Sequence, residues 1–303
     1  MSDMSRFGKV AVLMGGKSAE REISLLSGRA VLDGLVRAGV DAIGIDVDDN
    51  LPAQLLDKKI DRVFNILHGR GGEDGKLQGM LDLMGIPYTG SGVLASALAM
   101  DKVKTKWIWQ HSGLPTPASA VLDEATDWQG LVDSFGELVV KPSHEGSSIG
   151  MSMVADAGAL KAAFDKARGF DTEVMAEQRI RGREFTVPII RGEVFPAIEM
   201  STHHEFYDYD AKYKSNDTKY RCPAPLSDEK SDELARLCLR AFEVLGANGW
   251  GRVDVMQDGD ENFWLLELNT VPGMTDHSLV PLSAKTNGLS FEQLVVRILE
   301  TSL

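Results

Sequence analysis

Cysteine is nearly missing from this chain of 303 residues. Cys222 and Cys238 are the only two, and they stand in no metal or redox spacing. That excludes a disulfide framework and points to two structural thiols in a reducing cytoplasm. Long hydrophobic runs are missing too: none approaches the ~20 residues that a membrane span needs. The opening residues, Met1 to Arg6, lack the apolar core of a signal peptide. Positive charge is in short supply, with 32 Lys+Arg against 45 Asp+Glu and a net charge of −13. Such a balance argues against nucleic acid or a membrane surface as partner, while leaving room for local basic sites that hold phosphate. There is no internal repeat and no low-complexity tract.

What remains is an ordinary globular composition, 43% hydrophobic and 25% charged, in a length that suits two or three domains. Lys9 to Met14 reads as a short buried strand, followed by Gly15-Gly16-Lys17-Ser18 and a helix to about Ala38. The Gly-Lys-Ser triplet is not a P-loop, because that loop needs glycine where Ala11 stands. A second apolar run, Val63 to Leu67, leads into a glycine-rich loop beginning at His68, then a helix from about Lys76 to Met84. Alternating strands and helices predict a parallel, doubly wound sheet, whose ligands bind beyond the carboxyl ends of the strands. Glu20 and His68 both follow strand ends and are candidate site residues. Met100 to Trp109 reads as a basic helical stretch, with a first domain boundary near Asp101.

Beyond it, Leu138 to Lys141 is an apolar strand carrying a lysine, and lysine is rarely buried without a partner. His144 to Gly150 then forms a Gly/Ser flap whose backbone N–H groups can point at an anion. Arg183 to Ile190 and Glu193 to Glu199 read as an antiparallel pair. His203 to Tyr220 has little apolar periodicity but is rich in tyrosine and lysine, as expected of a lid that orders on a ligand. Ser227 to Leu245 reads as an amphipathic helix, and the last helix, about Ser290 to Thr301, is expected only to pack.

The chain is organised around Gly249 to Leu279. Arg252 to Asp254 and Leu265 to Asn269 read as two strands joined at Asp258-Gly259-Asp260. Pairing Asp258 with Glu261 places Arg252, Asp254, Glu267 and Asn269 on one face. Arg252 then lies opposite Glu267, with Asp254 on a diagonal roughly 7 Å away, and Val253, Val255, Leu266 and Leu268 face the core. Alternating charges usually mark only the wet face of a sheet. Here two carboxylates and an amide share one face, and these hard oxygen ligands suit Mg²⁺. With Lys102, Lys141, the Gly146-Ser147-Ser148 flap and Lys212, that face reads as a triphosphate clamp built without a P-loop.

These residues lie in motifs that resemble, almost end to end, the ATP-grasp enzymes, and among them the D-alanine–D-alanine ligases. The motifs are GGKSAEREISLLSG (15–28), HGRGGEDGKLQG (68–79), YTGSGVLASALAMDK (88–102), VKPSHEGSSIGMS (140–152), FYDYDAKY (206–213), GWGRVDVM (249–256) and LLELNTVPGMTDHSLVP (265–281). The departures are Gln178, where a lysine often stands, and His144, where an arginine is common.

The resemblance implies an N-terminal doubly wound α/β domain (1–101) and a two-part ATP-grasp domain (102–184 and 185–303). It implies ATP-dependent joining of two D-alanine molecules through an acyl phosphate, for peptidoglycan, in the cytoplasm, by a homodimer. Lys102 and Lys141 would hold the α- and β-phosphates and Lys212 the γ-phosphate. Glu177, Gln178, Ile180 and Glu184 would contact adenosine. Asp254, Glu267 and Asn269 would bind two Mg²⁺ or Mn²⁺. Glu20 would take the first substrate's ammonium, with His68 near its carboxylate. Arg252 and the Gly273 N–H would stabilise the oxyanion, and Ser278 and the Leu279 N–H would hold the second carboxylate. Ser147 and Tyr213 would join flap and lid to Glu20. The competing readings are a ligase with another acceptor such as D-lactate, and a nucleotide-binding regulator without chemistry. Tyr213 favours an amine acceptor in this family, and the intact hairpin face argues against the regulator.

Overall fold

A computed structural model describes residues 4–201 and 218–303. Its N-terminal part runs β1 (Val10–Met14), α1 (Arg21–Arg37), β2 (Ala42–Asp46), α2 (Leu51–Asp57), β3 (Arg62–Asn65) and α3 (Lys76–Met84). The three strands are parallel in the order β2-β1-β3. β1 is buried along its whole length and feeds two cores. Val10, Val12 and Met14 meet Val31 and Leu35 of α1, while Ala11 and Leu13 meet Leu51, Leu55, Leu77 and Leu81 of α2 and α3. Burial on both faces is why this strand is a continuous apolar run without alternation. Ala11 fills a core position, and Lys17 pairs with exposed Asp49, so the Gly-Lys-Ser triplet here is no phosphate loop.

The chain continues through α4 (Val93–Met100) and α5 (Lys102–His111). Asp101 separates the two helices: its backbone is extended and its carboxylate accepts the Lys104 N–H at 2.9 Å, capping α5. There follow β4 (Ser119–Leu122), α6 (Trp128–Phe135), β5 (Leu138–Pro142), β6 (Ser152–Val154), α7 (Ala157–Ala167) and β7 (Val174–Gln178). These four strands form an antiparallel sheet ordered β4-β7-β5-β6, backed by α6 and α7.

The last part comprises β8 (Arg183–Ile190), β9 (Glu193–Val194), β10 (Ile198–Ser201), β11 (Lys219–Arg221), α8 (Asp228–Val244), β12 (Trp250–Gln257), β13 (Phe263–Asn269), α9 (Leu279–Thr286) and α10 (Phe291–Leu299). Its sheet is ordered β11-β10-β8-β12-β13, with β9 paired to β8. Helix packing crosses the expected boundaries at 101 and 184 in both directions. Trp109 of α5 packs with Cys238 and Phe242 of α8 beneath the third sheet. Leu294, Val295, Ile298 and Leu299 of α10 return to the core under β1. Gly249, at φ +71°, lies so close to Gly90 that an added Cβ would sit 2.8 Å from the Gly90 Cα, so this approach of the N-terminal part to β12 needs glycine.

The expected lid at 203–220 falls almost wholly outside the described residues, Lys212 and Tyr213 with it. Its end differs from the expectation. Lys219 and Tyr220 are not irregular but begin β11, the edge strand that pairs with β10.

Candidate active site

The hairpin β12–β13 has a different register from the one the sequence suggests. Arg252 pairs with Asn269 and Asp254 with Glu267, whereas beyond Asp254 the pairs become Val255 with Leu265 and Gln257 with Phe263. Two local features cause the shift. The turn is longer than a tight one: the Asp258 carboxylate accepts the N–H groups of Asp260 and Asn262, and Glu261 adopts φ +64°. A bulge then leaves Leu266 as an extra residue on β13. So Leu265, not Leu266, enters the core, and Leu266 turns toward a cavity. The bulge also brings the Asp254 and Glu267 positions directly opposite one another instead of diagonal, and the four polar groups keep their common face.

Asp254 is 6% exposed and its carboxylate accepts four hydrogen bonds. Oδ1 takes Thr186 Oγ1 at 2.5 Å and Arg252 Nε at 2.8 Å, and Oδ2 takes Arg252 at 2.8 Å and Asn269 Nδ2 at 3.0 Å. Glu267 lies 3.5 Å from Lys102 Nζ. Two carboxylates and an amide oxygen on adjacent strands form a donor set that fits Mg²⁺ or Mn²⁺. A cation on Asp254 would replace one of its present donors, and Arg252, which makes two of the four bonds, is the natural one to exchange.

Two cavities meet at this face. The larger lies between the second and third sheets. It brings together the expected nucleotide residues Lys102, Lys141, Glu177, Gln178, Ile180 and Glu184 with Asp254 and Glu267. Met153, Met256 and Leu266 give it apolar walls of a kind that suits a flat ring. The second cavity gathers Glu20, His68, Arg252, Asn269, Gly273, Ser278 and Leu279. Lys102, Ser147 and Glu267 line both, so the two cavities adjoin.

The flap closes the junction. Ser147 and Ser148 hold φ of +51° and +59°, a left-handed conformation that costs non-glycine residues energy. Ser147 Oγ donates to Glu20 Oε1 at 2.5 Å. A Cβ on Gly146 would lie 3.1 Å from the Glu20 carboxylate, so glycine admits the flap backbone here. At the flap's base, His144 is bonded to Asp171 (2.8 Å) and lies 3.4 Å from Asp101. These two carboxylates, Asp101 foremost, raise its pKa and favour the imidazolium. Arg70 ties Glu145 to the same Asp171.

In the second cavity His68 is 6% exposed. Its Nδ1 donates to Val271 O at 2.8 Å, and burial lowers its pKa, which keeps the ring neutral. Ser278 stands at the N-cap position of α9; its Oγ accepts the Thr275 N–H of the preceding turn at 2.8 Å instead of a helix N–H, and Leu279 begins the helix, where backbone N–H groups favour a carboxylate. Glu177 is not simply an adenosine contact. Its carboxylate reaches Lys141 at 2.5 Å and Lys106 at 2.7 Å.

Three residues in or behind the walls of the site carry no signal of their position in the sequence. His277 lines the second cavity. Lys106 is wholly buried, and burial pushes its pKa down to about 8 against the pull of Glu177. Glu73 accepts the N–H of Gly69 at 2.7 Å and of Val271 at 3.0 Å. Burial and the Glu20 charge push its carboxyl up to about 8. Between the usual carboxylate range and that value, the folded chain keeps a proton that the unfolded chain has lost. Its contribution is therefore full in acid and falls as pH rises through the window. Glu73→Gln is expected to flatten the decline of melting temperature between pH 5 and pH 8. An unchanged slope in calorimetry would rule out Glu73 as its source.

Two family models match the chain: "D-ala D-ala ligase C-terminus" over residues 108–300 and "D-ala D-ala ligase N-terminus" over residues 50–91. A D-alanine--D-alanine ligase of Stutzerimonas stutzeri is 58% identical over 302 residues, which is 99% of this chain and 96% of that one. A crystal structure of D-alanine--D-alanine ligase from Bacillus anthracis superposes with a TM-score of 0.87 at 34% identity, covering 97% of each chain. A structure of that enzyme complexed with ATP superposes with a TM-score of 0.85 at 32% identity, again covering 97% of each.

Proposed function

The chain belongs to the D-alanine–D-alanine ligase family, and we propose that its two adjoining cavities hold ATP and two D-alanine molecules in line. The activity is ATP-dependent ligation of two D-alanine molecules to D-alanyl-D-alanine, with release of ADP and phosphate, for peptidoglycan synthesis. The observation that carries the spatial reading is the junction: Lys102, Ser147 and Glu267 belong to both cavities, so a γ-phosphate from one side can meet a carboxylate from the other.

In this reading the first D-alanine enters the smaller cavity with its ammonium on Glu20, beside the neutral ring of His68. Its carboxylate oxygen attacks the γ-phosphorus, and the bond to the ADP oxygen breaks. The amine of the second D-alanine, held by Ser278 and the Leu279 N–H, then attacks the acyl carbon. Phosphate leaves with the electron pair of the carbon–oxygen bond, and the amine loses a proton. Arg252 and the Gly273 N–H face the oxyanion of that step. Lys102 and Lys141 hold the α- and β-phosphates, and Glu177, Gln178, Ile180 and Glu184 surround adenosine. Asp254, Glu267 and Asn269 would hold two Mg²⁺ or Mn²⁺, which when bound offset the repulsion between phosphate and carboxylate.

Acyl phosphates hydrolyse in water, so the flap must exclude it. The Ser147–Glu20 bond supports that role. Lys212 over the γ-phosphate and Tyr213 beside Ser147 complete the reading, though both lie outside the described residues. A homodimer working in the cytoplasm also belongs to it. No described helix is long and apolar enough to cross a membrane.

Phosphate release should require D-alanine together with ATP, and L-alanine should not replace it. The product mass should be that of the dipeptide. With D-lactate added, a depsipeptide as main product would contradict the amine-acceptor reading.

A further inference from the structure

Lys106 lies one helical turn beyond Lys102 on α5, on the same face, yet its side chain is 0% exposed and borders neither cavity. A lysine is sealed in this way only with a partner. Here the partner is Glu177 on β7, itself 4% exposed but forming part of the wall of the nucleotide cavity. Lys106 Nζ stands 2.7 Å from Glu177 Oε2 and Lys141 Nζ 2.5 Å from Oε1, so one carboxylate is held between two ammonium groups. Thr116 fixes the inner one: Thr116 Oγ1 accepts from Lys106 Nζ at 2.6 Å and donates to Leu265 O at 2.7 Å. That carbonyl belongs to β13, two residues before Glu267.

The two lysines differ in what they can reach. Lys141 lines the larger cavity and so can present its ammonium to a ligand held there. Lys106 is behind the wall, where its ammonium meets Glu177 and Thr116. If Lys141 were the only counter-ion of Glu177, turning it toward phosphate would leave a buried carboxylate bare, which is strongly unfavourable. We propose that Lys106 is a positioning residue for the nucleotide: a second counter-ion that holds Glu177 in the wall and frees Lys141 to bind phosphate. The proposal rests on the reading of the larger cavity as the ATP site.

The test compares Lys106→Met, Lys106→Arg and Lys141→Met in the full chain, with ADP binding measured by calorimetry alongside steady-state kinetics. Lys106→Met is expected to raise the ADP dissociation constant and the KM for ATP by about tenfold or more, since about 1.4 kcal/mol corresponds to each tenfold change. The KM for D-alanine and the kcat at saturating ATP should stay within about twofold. Lys106→Arg keeps the charge and should recover most of the affinity. If Lys106→Met does not fold, Thr116→Val removes only the tether, and a smaller rise confined to ATP is expected.

Wild-type ADP affinity in folded Lys106→Met, with affinity lost in Lys141→Met, would overturn the proposal and leave the ATP site standing. Equal rises in both KM values without rescue by arginine would reduce Lys106 to a packing residue. Wild-type ADP affinity in Lys141→Met would overturn the ATP-site reading itself, and the proposal with it.

Discussion

Glu267→Gln is expected to lower turnover by at least ~100-fold, the scale on which removal of one electrostatic stabiliser acts. Glu267 sits where the two cavities meet, opposite Asp254 across the hairpin and 3.5 Å from Lys102. The amide keeps the shape of the side chain and removes its charge. The core beneath consists of Val253, Val255, Leu265 and Leu268 and is untouched, so the melting temperature should change little. A folded Glu267→Gln protein with wild-type turnover would sink the assignment of this face to metal and phosphate.

Arg252→Ala should impair turnover more than nucleotide binding. Arg252 lines the smaller cavity and not the larger one, which in the proposed reading sets its charge beside the reacting groups and away from the nucleotide. Removing an interaction made only in the transition state lowers kcat and kcat/KM together, here by on the order of 100-fold. The side chain also caps both oxygens of Asp254. Part of the loss should therefore return in Arg252→Lys, which keeps the charge but not the paired bonds. Equal losses in ADP affinity and in turnover would instead make Arg252 a phosphate anchor.

What the sequence disclosed and what it hid follow from the range of each interaction. β1 was legible because both of its faces are buried, and α3 because its apolar positions recur at helical spacing. The shared face of Arg252, Asp254, Glu267 and Asn269 was legible from the two-residue period of strands. The register was not, since it depends on a bulge at Leu266 and on how Asp258 bonds its own turn. Neither leaves a pattern in residue type. α10 read as a packing helix, but nothing local to it says that its partner is β1, nearly the whole chain away. Lys106 and Glu73 were missed for a related reason. In sequence each is one more charge, on a basic helix and in a glycine-rich loop. What distinguishes them is burial against Glu177 for Lys106 and the nearby Glu20 charge for Glu73, and those neighbours come together only once separate segments have packed.

In the proposed reaction a D-alanine carboxylate attacks ATP at the junction of the two cavities and later loses that same oxygen to phosphate. The most direct test uses D-alanine labelled with oxygen-18 in its carboxylate, incubated with ATP, Mg²⁺ and the wild-type chain. One labelled oxygen should appear in each phosphate released, in step with dipeptide. Unlabelled phosphate accompanying full dipeptide formation would contradict it.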